Sequence, residues 1–122
     1  MAIPDHGLDT LLELDGVSFF ADAEGRFRVR FVVKRVEASE ERPHGLSYSL
    51  TLHDEKGERL VGFDNAHRVA PGSGPAGRQR SVRDHRHRHR TVRPYEYKDA
   101  ATMLADFWQE VDAVLKEKGI LP

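Results

Sequence analysis

The clearest strand pattern of the chain is RFRVRFVVK, residues 26–34. Apolar and basic side chains alternate along it, as they do in a β-strand that buries one face and exposes the other to water. The apolar face carries Phe27, Val29, Phe31 and Val33, and the opposite face carries Arg26, Arg28, Arg30 and Lys34. This stretch therefore predicts a sheet whose hydrophobic core lies on one side only.

Similar segments before and after this strand extend the predicted sheet. Alternation recurs at residues 46–53, and a tight turn at 54–57 leads into a strand at 59–64. Residues 17–21 form a shorter apolar run, and residues 82–90 alternate again as a last strand. Short turns between successive strands predict a mostly antiparallel β-meander of four to five strands.

Residues 99–118 predict one long helix. Apolar side chains recur there at intervals of three and four residues and form a single stripe that contains Leu104, Trp108, Val111 and Leu115. Asp99 stands where an N-cap or a first-turn acid is expected, and Gly119 stands at the expected end. We therefore expect an α+β fold in which one C-terminal helix packs on one face of the sheet. For residues 8–15 the pattern leaves open a short strand or a helical turn.

Length and composition indicate a small globular protein. The 122 residues fit one domain, 1–122, with a frayed lead-in at 1–7 and a flexible loop at 71–80, where proline and glycine are frequent. The absence of cysteine excludes disulfides and thiolate metal sites and indicates a reducing compartment. No apolar run approaches the roughly 20 residues of a membrane span, and the first residues lack a signal-peptide pattern. We expect a cytoplasmic protein.

Positive charge is concentrated in one part of the chain. Between Arg68 and Arg93 there are eight arginines, no lysine and one acid, although the net charge of the whole chain is −1. This asymmetry indicates a polyanionic partner, nucleic acid first, because arginine forms paired hydrogen bonds with phosphate. The predicted nucleic-acid contacts are Arg68, Arg83, Arg86, Arg88 and Arg90, together with Arg30 of the first strand pattern.

Histidines interleaved with these arginines suggest metal-independent RNA cleavage. That reaction needs a base for the ribose 2′-hydroxyl, an acid for the leaving 5′-oxygen and cations for the phosphorane. His67, His85 and His87 are the predicted acid and base, because imidazole titrates near neutral pH. Asn65 is predicted to hold a phosphate or to orient an imidazole. Asp84 is predicted to counter the effect of the arginines on the imidazole pKa.

The cleavage hypothesis depends on one spatial arrangement. Residues 65–67 must lie alongside residues 84–87, as a hairpin would place them. On a strand, the period of two would put His85, His87 and His89 on one face and Arg86, Arg88 and Arg90 on the other.

Two other interpretations of the same residues remain open. The histidines of residues 85–89, completed by His67 or Asp64, have the ligand types of a zinc or nickel site. The interleaved arginines argue against this site, because they raise the cost of binding a dication. Alternatively, the arginines form a basic surface that docks on an acidic protein, and the histidines are incidental. We predict no metal and no cofactor.

Short strings distributed over the chain carry a family resemblance. They are ERPHGLSYSL at 41–50 with His53-Asp54, GFDNAH at 62–67, DHRH at 84–87, PYEY at 94–97, and DFW at 106–108 with Val111-Asp112. From about Leu8 to Leu115 the chain resembles the TumE-type toxin family, whose members are encoded beside a helix-turn-helix antitoxin. The family positions that map onto this chain are Asp64, Asn65, His67, Asp84, His85 and His87.

The resemblance implies a growth-inhibiting toxin of a type II toxin–antitoxin pair that acts on RNA or translation. We interpret the protein as an RNA-targeting toxin, with ribonuclease activity as the lead mechanism. The alternative is a non-catalytic nucleic-acid- or protein-binding module that inhibits by occupancy. The expected partners are RNA and a cognate helix-turn-helix antitoxin. The polar sheet face would meet the antitoxin, the substrate, or a second copy of the chain in a homodimer.

Overall fold

The computed structural model describes residues 6–39, 44–65 and 84–120. The predicted flexible loop at 71–80 lies outside these ranges. In chain order the described elements are α1 (Leu8–Glu13), β1 (Ser18–Phe20), β2 (Arg28–Arg35), β3 (Leu46–His53), β4 (Arg59–Asp64), β5 (His85–Arg88), β6 (Thr91–Pro94) and α2 (Ala100–Glu117).

The strands form one antiparallel sheet in the order β1-β2-β3-β4-β5-β6. Each strand pairs with the next along the chain, so the sheet is a meander. The predicted α+β class and antiparallel meander are confirmed. The predicted count of four to five strands is too low, because the described residues contain six.

The additional strand comes from the segment that the sequence assigned to a single strand, residues 82–90. β5 ends at Arg88, and the chain reverses at His89 and Arg90 before it returns as β6. His89 adopts φ 54°, in the left-handed region that tight hairpin turns use. The turn contains no glycine, which is why the pattern concealed it. His89 and Arg90 consequently do not continue the alternation of β5.

The first described element, α1, settles the ambiguity at residues 8–15 in favour of a helix. Its N-cap is Gly7 at φ 80°, where an added Cβ would lie 2.9 Å from the backbone nitrogen of Ala101. The neighbouring His6 carbonyl accepts a hydrogen bond from that same nitrogen at 2.8 Å. Glycine therefore permits close contact between α1 and the start of α2, and Leu11 of α1 is fully buried in the core.

The C-terminal helix, α2, agrees closely with the prediction. Asp99 caps it, since its Oδ1 accepts a hydrogen bond from the Thr102 backbone nitrogen at 2.7 Å, and hydrogen bonding with Thr102 lowers the pKa of the Asp99 carboxyl. Trp108 packs against the core, as its place in the apolar stripe predicts. No helix in the described part of the chain is long and apolar enough to cross a membrane.

The core lies between the helices and one face of the sheet, the helix face. Phe107 of α2 contacts Phe31 of β2 and Phe63 of β4, with ring centroids 5.7 and 6.0 Å apart. Directly opposite residues of neighbouring strands share a face. The register therefore places on the helix face the buried residues Val29, Phe31, Val33, Leu46, Tyr48, Leu50, Leu52, Val61 and Phe63.

The other side of the sheet, which we call the open face, carries the basic side of the RFRVRFVVK pattern. The strand register arranges its residues in three rows that run across the strands. The first row is Phe20, Arg28, His53 and Arg59; the second is Ser18, Arg30, Thr51, Gly62, His87 and Val92; the third is Val32, Ser49, Asp64, His85 and Pro94.

Candidate functional site

A histidine, a carboxylate and an arginine meet on the open face. His87 Nε2 lies 2.9 Å from Asp64 Oδ2, and Arg59 Nη2 lies 3.0 Å from His87 Nδ1. Arg59 Nη1 also lies 3.8 Å from Asp64 Oδ2. Arginine only donates hydrogen bonds and an ionised carboxylate only accepts them, so both contacts are satisfied by the neutral ring with its hydrogen on Nε2. We call Arg59, Asp64 and His87 the His87 site.

The site depends on a glycine beneath it. Gly62 lies directly opposite His87 in the pairing of β4 with β5. A Cβ at this position would lie 3.0 Å from Arg59 Cδ and 3.5 Å from His87 Cδ2. The missing side chain therefore lets Arg59 cross from the start of β4 to the ring of His87. In the string GFD at 62–64, Gly62 leaves space for the Arg59 side chain and Asp64 supplies the carboxylate.

The environment of His87 favours the uncharged ring. Burial lowers the pKa of His87, because the imidazolium loses hydration, and the positive charge of Arg59 acts in the same direction. The Asp64 carboxylate opposes this shift without reversing it. The side chains of His87 and Asp64 are only 12% and 10% exposed. Burial and Arg59 therefore favour the neutral imidazole of His87, which lies between an acceptor and a donor.

A second imidazole lies beside the His87 site. His85 is half-buried on the open face and pairs with Asp64 in the register of β4 and β5. Its ring centroid is 6.3 Å from that of His87. Two imidazoles thus share one small area of the open face.

Asp84 belongs to a separate cluster at the end of the sheet. Its Oδ2 accepts a hydrogen bond of 2.5 Å from the Tyr48 hydroxyl, and His44 Nε2 lies 3.0 Å from the same oxygen. The ring of Tyr97 packs on His44, with centroids 4.4 Å apart. Burial and then the Asp84 carboxylate raise the pKa of Tyr48. Because Tyr48 lies on the helix face, Asp84 is not part of the His87 site.

Asn65 is fully buried and joins two strands. Its Oδ1 accepts a hydrogen bond from the Tyr48 backbone nitrogen at 2.9 Å, and its Nδ2 donates one to the Leu46 carbonyl at 2.7 Å. These bonds fix the end of β4 against β3. These two hydrogen bonds give the Asn65 side-chain amide a structural role.

Arg86 and Arg88 alternate with the imidazoles and point to the helix face. Arg88 and His89 both contact the Glu117 carboxylate of α2, His89 through Nε2 at 3.3 Å from Oε1. With Arg93 of β6, Arg86 and Arg88 line a cavity of about 240 Å³. These arginines and the imidazoles of β5 lie on opposite faces of the sheet, so they do not meet at one phosphate.

The other predicted nucleic-acid contacts are dispersed. Arg90 is exposed in the turn between β5 and β6. Arg30 lies on the open face, in the same row as His87. The predicted residues His67, Arg68 and Arg83 lie outside the described ranges.

Metal binding needs several converging ligands, usually three or more from the protein. Among residues 6–39, 44–65 and 84–120, no group of three or more histidines, aspartates and glutamates is arranged to hold a metal ion. His67, one of the two residues that would complete the set in the metal interpretation, is not in these ranges.

Comparison with known proteins assigns the family. The family profile described as Toxin TumE matches residues 9–115. The chain belongs to the TumE toxin family. It is the toxin component of a toxin–antitoxin system, and a cognate antitoxin is therefore one of its partners. None of the curated proteins and none of the solved structures compared with the chain matches it.

Residues from four of the strings that carry the TumE resemblance come together in the structure. Those at 62–67 and 84–87 supply Asp64, His85 and His87 on the open face, and those at 41–50, 84–87 and 94–97 supply His44, Tyr48, Asp84 and Tyr97 at the sheet end. The resemblance thus marks two clusters, one on each face.

Sequence reasoning missed Arg59 altogether, and it brought Asp64 together with the histidines of residues 85–89 only in the metal interpretation. Arg59 precedes Gly62 by three residues and carries no motif of its own. Its only sequence signal is the glycine, because a strand interior seldom carries glycine unless another group approaches closely. Only the register of β4 and β5 shows that the residue Arg59 approaches is His87.

Proposed function

We propose that this TumE toxin acts on RNA as a metal-independent ribonuclease, with His87 as the base and His85 as the acid. The observation that supports this best is the state of His87. Its neutral ring lies between the Asp64 carboxylate and the Arg59 guanidinium, with a second imidazole nearby. A general base must be unprotonated at the working pH, and the lowered pKa of His87 provides this.

In the proposed reaction, Arg59 turns from His87 Nδ1 to a phosphate oxygen, and Nδ1 then removes the proton of the ribose 2′-hydroxyl. The 2′-oxygen attacks phosphorus and the bond to the 5′-oxygen breaks. The leaving 5′-oxygen takes a proton from protonated His85. The products are a 2′,3′-cyclic phosphate and a 5′-hydroxyl. Asp64 stabilises the imidazolium formed on His87 by accepting from its Nε2–H, a role for which the 2.9 Å contact is suited.

Cations on the same face support phosphate binding in this proposal. Arg59 contacts His87 directly, and Arg30 lies in the row that contains His87. A guanidinium held close to the phosphorane stabilises its developing charge. His67, Arg68 and Arg83 lie outside the described residues, so their proposed part in RNA binding rests on the sequence alone.

Inhibition by occupancy is the second candidate function. It is favoured by the cavity on the helix face, where Arg86, Arg88 and Arg93 converge without His85 and His87. There these arginines, with Arg90 in the adjacent turn, would bind a polyanion without cleaving it. Under this alternative the open-face histidines are dispensable.

The family resemblance also supports a helix-turn-helix antitoxin as the cognate partner, and the absence of cysteine supports the cytoplasm as the compartment. Co-purification with the product of the neighbouring reading frame tests the partner. The molar mass of the free toxin in solution tests for a homodimer.

Cleavage of single-stranded RNA in the presence of a chelator tests the ribonuclease proposal. His85→Asn and His87→Asn should each slow cleavage by about 10²- to 10⁴-fold and change RNA affinity only a few-fold. The matched control is His89→Asn, which makes the same substitution at a histidine on the helix side of the sheet. Asparagine tolerates the positive φ of residue 89. The rate of the wild type should follow a bell-shaped pH profile.

Three results would contradict the ribonuclease proposal. One is parallel loss of cleavage and affinity in the His85 and His87 variants. Another is equal loss of cleavage in the control. The third is cleavage that a chelator abolishes and zinc restores, which would indicate a metal site instead.

A further inference from the structure

A row of side chains crosses the open face from its edge to the His87 site. Phe20 of β1 pairs with Arg28 of β2, Arg28 with His53 of β3, and His53 with Arg59 of β4. Directly opposite side chains of antiparallel neighbours lie about 5 Å apart on one face. The pairing of β3 with β4 shifts register between Leu52 and His53, and after this irregularity His53 still pairs with Arg59. The row therefore ends on the arginine that contacts His87. We call these four residues the Phe20 row.

The outer end of the row presents an aromatic ring to solvent. Phe20 is 51% exposed. The guanidinium carbon of Arg28 lies 5.2 Å from the centroid of the Phe20 ring. Gly25 lies beside the same ring, where even an added Cβ would come no closer than 3.7 Å. An exposed aromatic ring next to a guanidinium is the kind of platform on which nucleobases stack.

A cavity of about 470 Å³ adjoins this ring, and both arginines and carboxylates line it. Its lining includes Phe20, Arg28, Arg30, His53, Asp54 and Glu55. The carboxylates repel phosphate and can accept hydrogen bonds from the amino groups of a base, whereas the arginines attract phosphate. The wall therefore favours a base inside the cavity and the backbone along the arginines.

We propose that the Phe20 row binds single-stranded RNA, with a base stacked on Phe20 and backbone phosphates on Arg28 and Arg59. This inference rests on the proposed function, because it names the strand that reaches His87. Binding of single strands combines an aromatic platform with a cationic track, and the row contains both. A paired base in a duplex keeps its faces inside the stack and cannot use the ring.

The length of the row fits a short segment of RNA. From β1 to β4 it crosses three strand spacings, about 14 Å. Arg59 at its inner end contacts His87 Nδ1 at 3.0 Å. The stacked base would thus belong to a nucleotide near the cleaved bond without being the nucleotide that is cleaved.

Affinity for a short 2′-O-methyl RNA, which lacks the attacking hydroxyl, tests this subsite in the full chain. Phe20→Ala should weaken binding of the single strand by about 5- to 100-fold and leave the salt dependence unchanged. Arg28→Gln should weaken binding and reduce the slope of log affinity against log salt by about 0.7. The matched control is Arg35→Gln, on the same strand but on the helix face.

Phe20→Trp should retain or raise the affinity, because it keeps the stacking surface. Comparison of the two variants then shows whether a loss of affinity in Phe20→Ala follows from the missing aromatic ring. Single-strand affinity that is unchanged in Phe20→Ala would overturn the proposal, as would an equal loss for single-stranded and duplex RNA. If Phe20→Ala weakens binding but the wild type cleaves no RNA, the subsite stands and the ribonuclease proposal fails.

Discussion

At the scale of single residues, His87 has opposite partners on its two ring nitrogens, so the two partners shift its titration in opposite directions. Arg59 disfavours the imidazolium and Asp64 favours it. Burial adds to the effect of Arg59, and the pKa of His87 is lowered.

Replacing either partner of His87 should therefore move its titration. Arg59→Gln removes a positive charge, so the pKa of His87 should rise and the acidic limb of the cleavage profile should move to higher pH. Asp64→Asn should lower the pKa further and move this limb to lower pH. Histidine proton resonances followed by NMR measure both shifts. Shifts in the same direction for both variants would show that the described contacts do not control His87.

Asn65→Ala should lower stability without lowering the activity of the folded molecules. The change removes the partners of the Tyr48 N–H and the Leu46 carbonyl, and each buried group left unpaired costs about 1–3 kcal/mol. Chemical denaturation measures the loss, with Ser47→Ala on the open face as a control expected to change stability by about 0.5 kcal/mol or less. A stable but inactive Asn65→Ala variant would instead assign Asn65 to the chemistry.

Which side chains meet was only partly predictable from the sequence. The period of two placed His85 and His87 on one face. The predicted position of residues 65–67 alongside residues 84–87 reaches beyond the described residues, within which Asp64 pairs with His85. The contact of Arg59 with His87 depends on a side chain that crosses Gly62, and periodicity does not encode such a crossing.

At the scale of elements, the hairpin of β5 and β6 depends on a residue with positive φ that is not glycine. Left-handed backbone costs an ordinary residue roughly 1–2 kcal/mol, and asparagine and glycine tolerate it better. Strand alternation therefore described β5 well but gave no sign of the reversal at His89. The six-residue helix α1 was ambiguous for another reason, since one and a half turns contain too few residues to separate a period of 3.6 from a period of two.

His89→Val should destabilise the protein by about 1–2 kcal/mol relative to His89→Asn, because a β-branched residue at φ 54° is strained. Thermal unfolding of the two variants measures the difference. Cleavage by the folded His89→Asn variant should match that of the wild type. Equal stability of the valine and asparagine variants would show that the turn relaxes without cost.

At the scale of the whole molecule, the sheet separates two charged surfaces that the sequence presented as one basic stretch. The open face carries His85, His87, Arg59 and Arg30, whereas Arg86, Arg88 and Arg93 lie towards α2. Composition predicted the amount of positive charge but not how it is divided between the two faces of the sheet. The strand register and the turn at His89 and Arg90 decide on which face each arginine lies. The fold class and the core helix were predictable from the sequence, since both follow from hydrophobic periodicity.

This separation makes the two faces testable with one substitution on each. We compare the initial rate of RNA cleavage by Arg59→Gln, on the open face, with that by Arg88→Gln, on the helix face, at a pH where His87 is neutral in both. Arg59→Gln should be slower than the wild type by about 10²-fold, the usual loss when one stabilising donor is removed, and Arg88→Gln should stay within about twofold. A normal rate for Arg59→Gln together with a large loss for Arg88→Gln would place the chemistry on the helix face and contradict the proposed site.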